Sequence, residues 1–247
     1  MQHFAKNAAV CTALAALGIT LGISGAAMAA KPAPRPAPAP AAPRETIYVP
    51  SRPMPPLWSG DNVTIPAMGP DGVRMTVSRN ITIAQRTWNF RSAYNVAALN
   101  CRDAKYDEVL IGYRAFIRTH ARGLTAANRG VDTAFRVRYG AAFVAPREAY
   151  MTQVYNFYSY PPTLPQFCDA ALLMSAAAKR VTRAQLTAFA AAELPKLDAV
   201  LLNFYNDYEK YRVDAAAWDT KWLPLLNAQP KPAVPAPTPT PTRAPRN

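Results

Sequence analysis

Histidine and cysteine are nearly absent from this chain, with 2 and 3 residues respectively out of 247. It also has no HExxH stretch, no CxxC pair, no glycine-rich phosphate loop and no nucleophile elbow. Nothing therefore signals a zinc enzyme, a kinase or a conventional hydrolase, and no metal or cofactor is expected. Acid is short as well: 15 Asp and Glu stand against 28 Lys and Arg, for a formal net charge of +13. An excess of that size favours anionic partners such as lipid headgroups, acidic polysaccharide or nucleic acid, although no motif for specific nucleic-acid binding is present. Beyond the first thirty residues no apolar run is long enough to span a bilayer.

What is there begins with Met1 to Ala30, which reads as a secretory leader. Lys6 precedes an acid-free apolar run from Ala8, and Ala27-Met28-Ala29-Ala30 offers a small-residue cleavage site. The expected location is periplasmic or secreted. The alternative is an inner-membrane anchor, since Ala8 to Ala30 uncleaved is just long enough to cross. Cys11 lies before the apolar run, the wrong place for a lipoprotein cysteine, and leaves with the leader. Cys101 and Cys168 remain, and in an oxidising compartment they are expected to pair. The competing reading, a nucleophilic Cys101 beside His120, has no support in the local sequence.

Residues 31–57 alternate proline with alanine and carry four basic residues and one acidic, which suits an extended linker. Residues 229–247, with three basic residues and none acidic, read as a disordered tail. Between the two arms, residues 58–86 alternate: Val63, Ile65 and Ala67, then Met68-Gly69-Pro70-Asp71-Gly72, then Val73, Met75 and Val77 opposite Arg74, Thr76 and Ser78. That pattern predicts an antiparallel hairpin with its valines inward and Arg74 outward. Ile81 and Ile83 fit a third strand, but Thr82-Ile83-Ala84-Gln85 equally fits a capping box that starts a helix. Asn62 and Asn80 head Asn-x-Thr sites, which matter only in a glycosylating cell.

Residues 87–228 read as helical. A first helix is expected from about Thr87 to Cys101. Tyr106 to Tyr139 then carries one continuous apolar stripe through Tyr113, Ile117, His120, Ala127, Val131 and Phe135, enough for about nine turns. Val109, Phe116, Gly123 and Gly130 stand beside it at seven-residue intervals, so another helix could approach closely at the glycine end. Pro146 opens a helix carrying Tyr150, Val154, Phe157 and Tyr158, and Thr163 to Gln166 starts another that turns Cys168 inward. Thr182 with Gln185 forms a capping box for a last helix through Pro195, read as a kink, to Tyr211. This last helix is expected to lie antiparallel to the long one.

Three groups of residues are candidates for function. Arg114, Arg118, Arg122, Arg129 and Arg136 share the face opposite the apolar stripe, a ridge suited to phosphate or carboxylate, or else a solvated face paired with Asp198, Asp207 or Glu209. Asp132 is the one acid at helical spacing, from Arg129 and Arg136. His120 and the tyrosines Tyr150, Tyr155 and Tyr158 could line a ligand pocket, although core packing explains them as well. The sequence as a whole implies a mainly helical bundle of about five helices around Tyr106 to Tyr139, preceded by a small β unit. Its expected role is that of an exported, non-enzymatic envelope module that associates with an anionic surface or protein partner. The alternative is a ligand-binding or catalytic domain built on His120 and the tyrosines.

Overall fold

The computed structural model describes residues 47–228, and every element below belongs to the unit that begins at Tyr48. The leader, most of the proline-rich linker and the tail expected at 229–247 lie outside the described residues. Within them the chain is mainly helical, a bundle of six α-helices: α1 (Ile83–Asn100), α2 (Asp107–Thr119), α3 (Ala121–Tyr139), α4 (Val144–Tyr158), α5 (Leu164–Ala178) and α6 (Leu186–Ala228).

The bundle is organised around α1 rather than around Tyr106 to Tyr139. Helix α1 packs against each of the other five, and Trp88, Phe90, Ala93, Tyr94, Val96 and Ala97 are buried together with the polar Thr87, Asn89 and Ser92. A helix buried on nearly every side has no polar face for periodicity to detect, so its sequence looks like a weaker helix than it is. Its start settles the strand-or-cap ambiguity at residues 81–85. The Thr82 side chain accepts from Gln85 N at 3.2 Å, and Gln85 Oε1 accepts from Thr82 N at 3.0 Å, a complete capping box.

The expected long helix is two helices. At His120 the backbone leaves helical geometry (φ −104°, ψ 12°), although its N–H still reaches Phe116 O and its carbonyl still accepts from Leu124 N. Helix α2 turns toward α5, and α3 toward α1 and α4. The break serves two sets of partners while leaving the apolar spacing intact. Close approach at the expected glycines is present along α3. A Cβ added at Gly123 would lie 2.6 Å from Leu186 Cδ2, and one at Gly130 would collide with Ala84 Cβ of α1. Gly112 is tighter still, wedged against Ser175 Oγ and Tyr94 Oη.

Helix α6 is the longest element at 43 residues, about 65 Å of rise. It continues through Pro195 and Pro224 and lies against α1 and α5, so the antiparallel pairing expected with the Tyr106 to Tyr139 stretch is replaced by pairing with α1. The Thr182–Gln185 box precedes it as expected.

In place of the expected β unit, residues 48–82 form an irregular strap. Among the described residues no strand occurs, and the hairpin is reduced to one antiparallel bridge, Met68 to Arg74, with Gly72 N bonded back to Gly69 O at 3.0 Å. The facing is also inverted: Arg74 is 4 % exposed while Val73 and Met75 are exposed. The cause is charge. Glu209 and Asn206 on α6 draw the Arg74 guanidinium inward, to 2.6 Å and 2.9 Å, and Pro66 O accepts a third bond at 3.1 Å. A guanidinium bonded at all three nitrogens outweighs the alternation of Val73 and Met75.

Candidate functional site

Cys101, at the end of α1, and Cys168 on α5 form a disulfide with their Cα atoms 5.5 Å apart, closing a separation of 67 residues. The bridge ties the C-terminal end of the hub to α5, so Cys101 is not a free nucleophile for His120.

His120 is 2 % exposed at the α2–α3 break, its ring 4.6 Å from that of Phe116, and its Nδ1 has no hydrogen-bond partner. Burial, reinforced by the charge of Arg183, lowers its pKa from the usual histidine value. No carboxylate bonds to it among the described residues. The three tyrosines lie elsewhere and apart. Tyr158 is fully buried, donating to Asp198 Oδ1 at 2.6 Å and meeting Ser78 Oγ at 3.2 Å. Tyr155 accepts from Arg91 at 2.8 Å and meets Trp88 edge-on. Tyr150 donates to Asn89 Oδ1 at 2.8 Å, and Asn89 Nδ2 in turn donates to Val77 O at 3.2 Å. His120 and the tyrosines are not brought together around one cavity.

Sequence reasoning missed the polar seam that these bonds compose. Asp198 on α6 is buried, and burial pushes its carboxyl up from 3.8 to about 6, against the lowering effect of the Tyr158 and Ser78 hydroxyls. Tyr158 is raised well above 10 by burial and by the neighbouring Asp198. A lone Asp between Leu197 and Leu201 was the available signal, since a carboxylate inside an apolar helical stretch needs a donor from outside.

The break at His120 divides the five ridge arginines between two helices. Arg114 and Arg118 are exposed on α2, and Arg122, Arg129 and Arg136 are exposed on α3. The last three recur every seven residues, forming a row about 21 Å long opposite Ala127, Val131 and Phe135. Among the described residues none of the five makes an ion pair, whereas Arg52, Arg74, Arg79 and Arg147 all do. Three of the acids expected to neutralise the ridge are committed elsewhere, Asp132 to Arg147 at 2.5 Å, Glu209 to Arg74 and Asp198 to Tyr158, while Asp207 is exposed on α6 and pairs with none of the five. Arg136 instead lies 4.5 Å from the centre of the Phe143 ring.

A cleft of about 660 Å³ opens between strap residues 75–82 and the facing sides of α3 and α4, with Tyr150 in its wall. Arg79 and Arg138 line it together with Phe135 and Tyr139, whose rings stack 5.8 Å apart. Among the described residues no group of three or more His, Cys, Asp or Glu is placed to hold a metal ion, and no helix is long and apolar enough to cross a membrane.

Comparison with family profiles, with curated proteins and with solved structures found no match.

Proposed function

We propose that this protein is an exported, non-enzymatic envelope module that associates through the α2–α3 arginine face with an anionic surface. The observation that carries the reading is a run of five exposed arginines along α2–α3, three of them in register on one face of α3. Among the described residues none of the five makes an ion pair, and Asp132, the acid at helical spacing from Arg129 and Arg136, is taken by Arg147. Guanidiniums left free in one row are suited to phosphate or carboxylate groups presented repeatedly by a surface or polymer. The disulfide supports an oxidising location, and the leader supports export.

Replacing Arg114, Arg118, Arg122 and Arg129 by Gln, and sparing the stacked Arg136, tests it. The variant should fold with the parent's circular dichroism and lose salt-sensitive sedimentation with phosphatidylglycerol vesicles, while phosphatidylcholine vesicles capture neither protein. A variant that sediments as well as the parent makes the row a solvated face and removes the proposal. A variant that fails to fold makes the row structural, with the same result.

A further inference from the structure

The cleft between the strap and α3–α4 combines features that the arginine face does not have. It is concave, its volume of about 660 Å³ falls within the range of small-molecule sites, and no carboxylate contributes to its wall. Two guanidiniums do. Arg138 is exposed, 5.3 Å from the Tyr139 ring centre, and pairs with no acid among the described residues. Arg79 is half engaged: one of its terminal nitrogens pairs with Asp71, while its buried Nε has no partner. The two arginines against one aspartate leave the cleft a net positive charge.

The rest of the wall divides by chemistry. Phe135, Tyr139 and Tyr150 form an aromatic surface, with the Phe135 and Tyr150 rings 5.3 Å apart. Polar groups come from the amides of Asn80, Gln85 and Gln153, with Gln85 Oε1 already taken by the α1 capping box. Asn80 occupies the left-handed region at φ 53°, which asparagine adopts more readily than most residues, and this turn sets its amide in the cleft wall. Aromatic rings, planar amides and free guanidiniums together match a molecule with an apolar ring face, neighbouring hydroxyls and one acid group.

We propose that this cleft binds a small acidic sugar, either a uronic acid or a sugar phosphate. Its acid group is held by Arg138 and Arg79, its ring lies against the aromatic wall, and its hydroxyls are read by the amides. The site is independent of the arginine face, since Arg138 is the only ridge-helix cation in it.

Titration of the purified full-length protein by NMR separates the alternatives, using D-glucuronate, glucose 1-phosphate, glucose and inorganic phosphate as probes. At least one acidic sugar should saturate and shift tyrosine ring resonances, with glucose and inorganic phosphate each binding roughly tenfold or more weakly, because each supplies half of the contacts. Arg138→Gln and Tyr139→Ala both alter half-exposed or exposed side chains and should each weaken the acidic sugar by about tenfold, while the four-arginine variant of α2–α3 binds it unchanged. Three results would each overturn the assignment. One is the absence of saturation by either acidic sugar. Another is inorganic phosphate binding as tightly as the sugar phosphate, which would mean charge alone. The third is loss of binding in the four-arginine variant with retention in Arg138→Gln, which would move the site to the ridge.

Discussion

The helices and the strap are held by different physics. Helices α1, α2 and α5 are joined by buried side chains and one covalent bridge. Phe90, Tyr94 and Phe116 meet ring to ring, and Cys101 is bonded to Cys168. The strap from Tyr48 to Ile81 has no α-helix or strand, only a short 3-10 helix at Pro56–Trp58, and buries few large side chains. It is held by Val63, Ile65, Val77 and Ile81 resting against the core, by the Arg52–Asp219 and Arg74–Glu209 ion pairs, and by hydrogen bonds from the helices to its backbone and polar groups: Trp218 Nε1 to Pro50 O at 2.8 Å, Tyr208 OH to Gly60 O at 2.9 Å, Tyr211 OH to Asp61 at 3.2 Å, and Asn89 to Val77 O. Aromatic side chains of α6 therefore serve two purposes, with rings that fill the core and polar tips that secure irregular chain. Regular structure satisfies its own backbone, whereas the strap must be satisfied by its neighbours.

The largest effect should come from the body. Replacing both Cys101 and Cys168 by Ala releases a loop spanning 67 residues, which in the chain-entropy model is worth about 4 kcal/mol of stability. Urea unfolding of the purified oxidised protein with and without reductant should show the same loss as the double variant. If the midpoint hardly moves, the α1–α5 packing is sufficient without the bridge, and the contrast between a covalently closed body and a hydrogen-bonded strap loses its first half.

The seam between the two regions comes next. Asp198 is raised from 3.8 to about 6 by burial, so the folded protein holds a proton that the unfolded chain has released. Its contribution to stability is complete below about pH 4 and is lost as pH rises through 6. A shift from 3.8 to about 6 corresponds to roughly 3 kcal/mol at neutral pH. His120 works in the opposite sense. Its folded pKa is depressed, so the unfolded chain takes up a proton first below 6.5, and stability falls as pH falls through the folded value. Asp198→Asn should therefore raise the melting temperature at pH 7 and leave a protein that only loses stability on acidification from 7 to 4.5. His120→Gln should leave one that gains stability over the same window. Parallel pH curves for parent and Asp198→Asn would show that burial leaves the Asp198 carboxyl at its ordinary value.

How much of this could be read beforehand follows the same division. The capping boxes at Thr82 and Thr182 are local patterns, and both formed. The cysteine pair was legible by elimination. The arginine row was legible because Arg122, Arg129 and Arg136 recur at seven-residue spacing within one helix. The break at His120 was not, since a kink changes direction without changing periodicity. Helix α1 was under-read because Thr87, Asn89 and Ser92 are buried there and look like surface positions. Arg74 shows the limit most clearly. Its neighbours Val73 and Met75 set an alternation that pointed it outward, and only a carboxylate 135 positions away reverses that. Long-range polar partners leave no mark on the segment they capture, and for this reason the cleft between strap and helices had no counterpart in the linear reading.

The smallest effect tests the strap directly. The Tyr208 hydroxyl receives a bond from Val63 N at 3.3 Å and donates to Gly60 O at 2.9 Å, so one oxygen closes four residues of irregular chain onto α6. Tyr208→Phe keeps the fully buried ring and deletes only that oxygen. Gly60 is exposed, so water can replace its bond, and global stability should fall by only about 1 kcal/mol. The local consequence should be larger than the global one. Amide exchange at Val63 should become much faster while exchange within α1 and α5 stays as it was, because the strap can open without unfolding the bundle. If Val63 and the α1 amides instead lose protection together, the strap folds and unfolds as one piece with the helices. The distinction between the two regions would then concern bonding alone and not cooperativity.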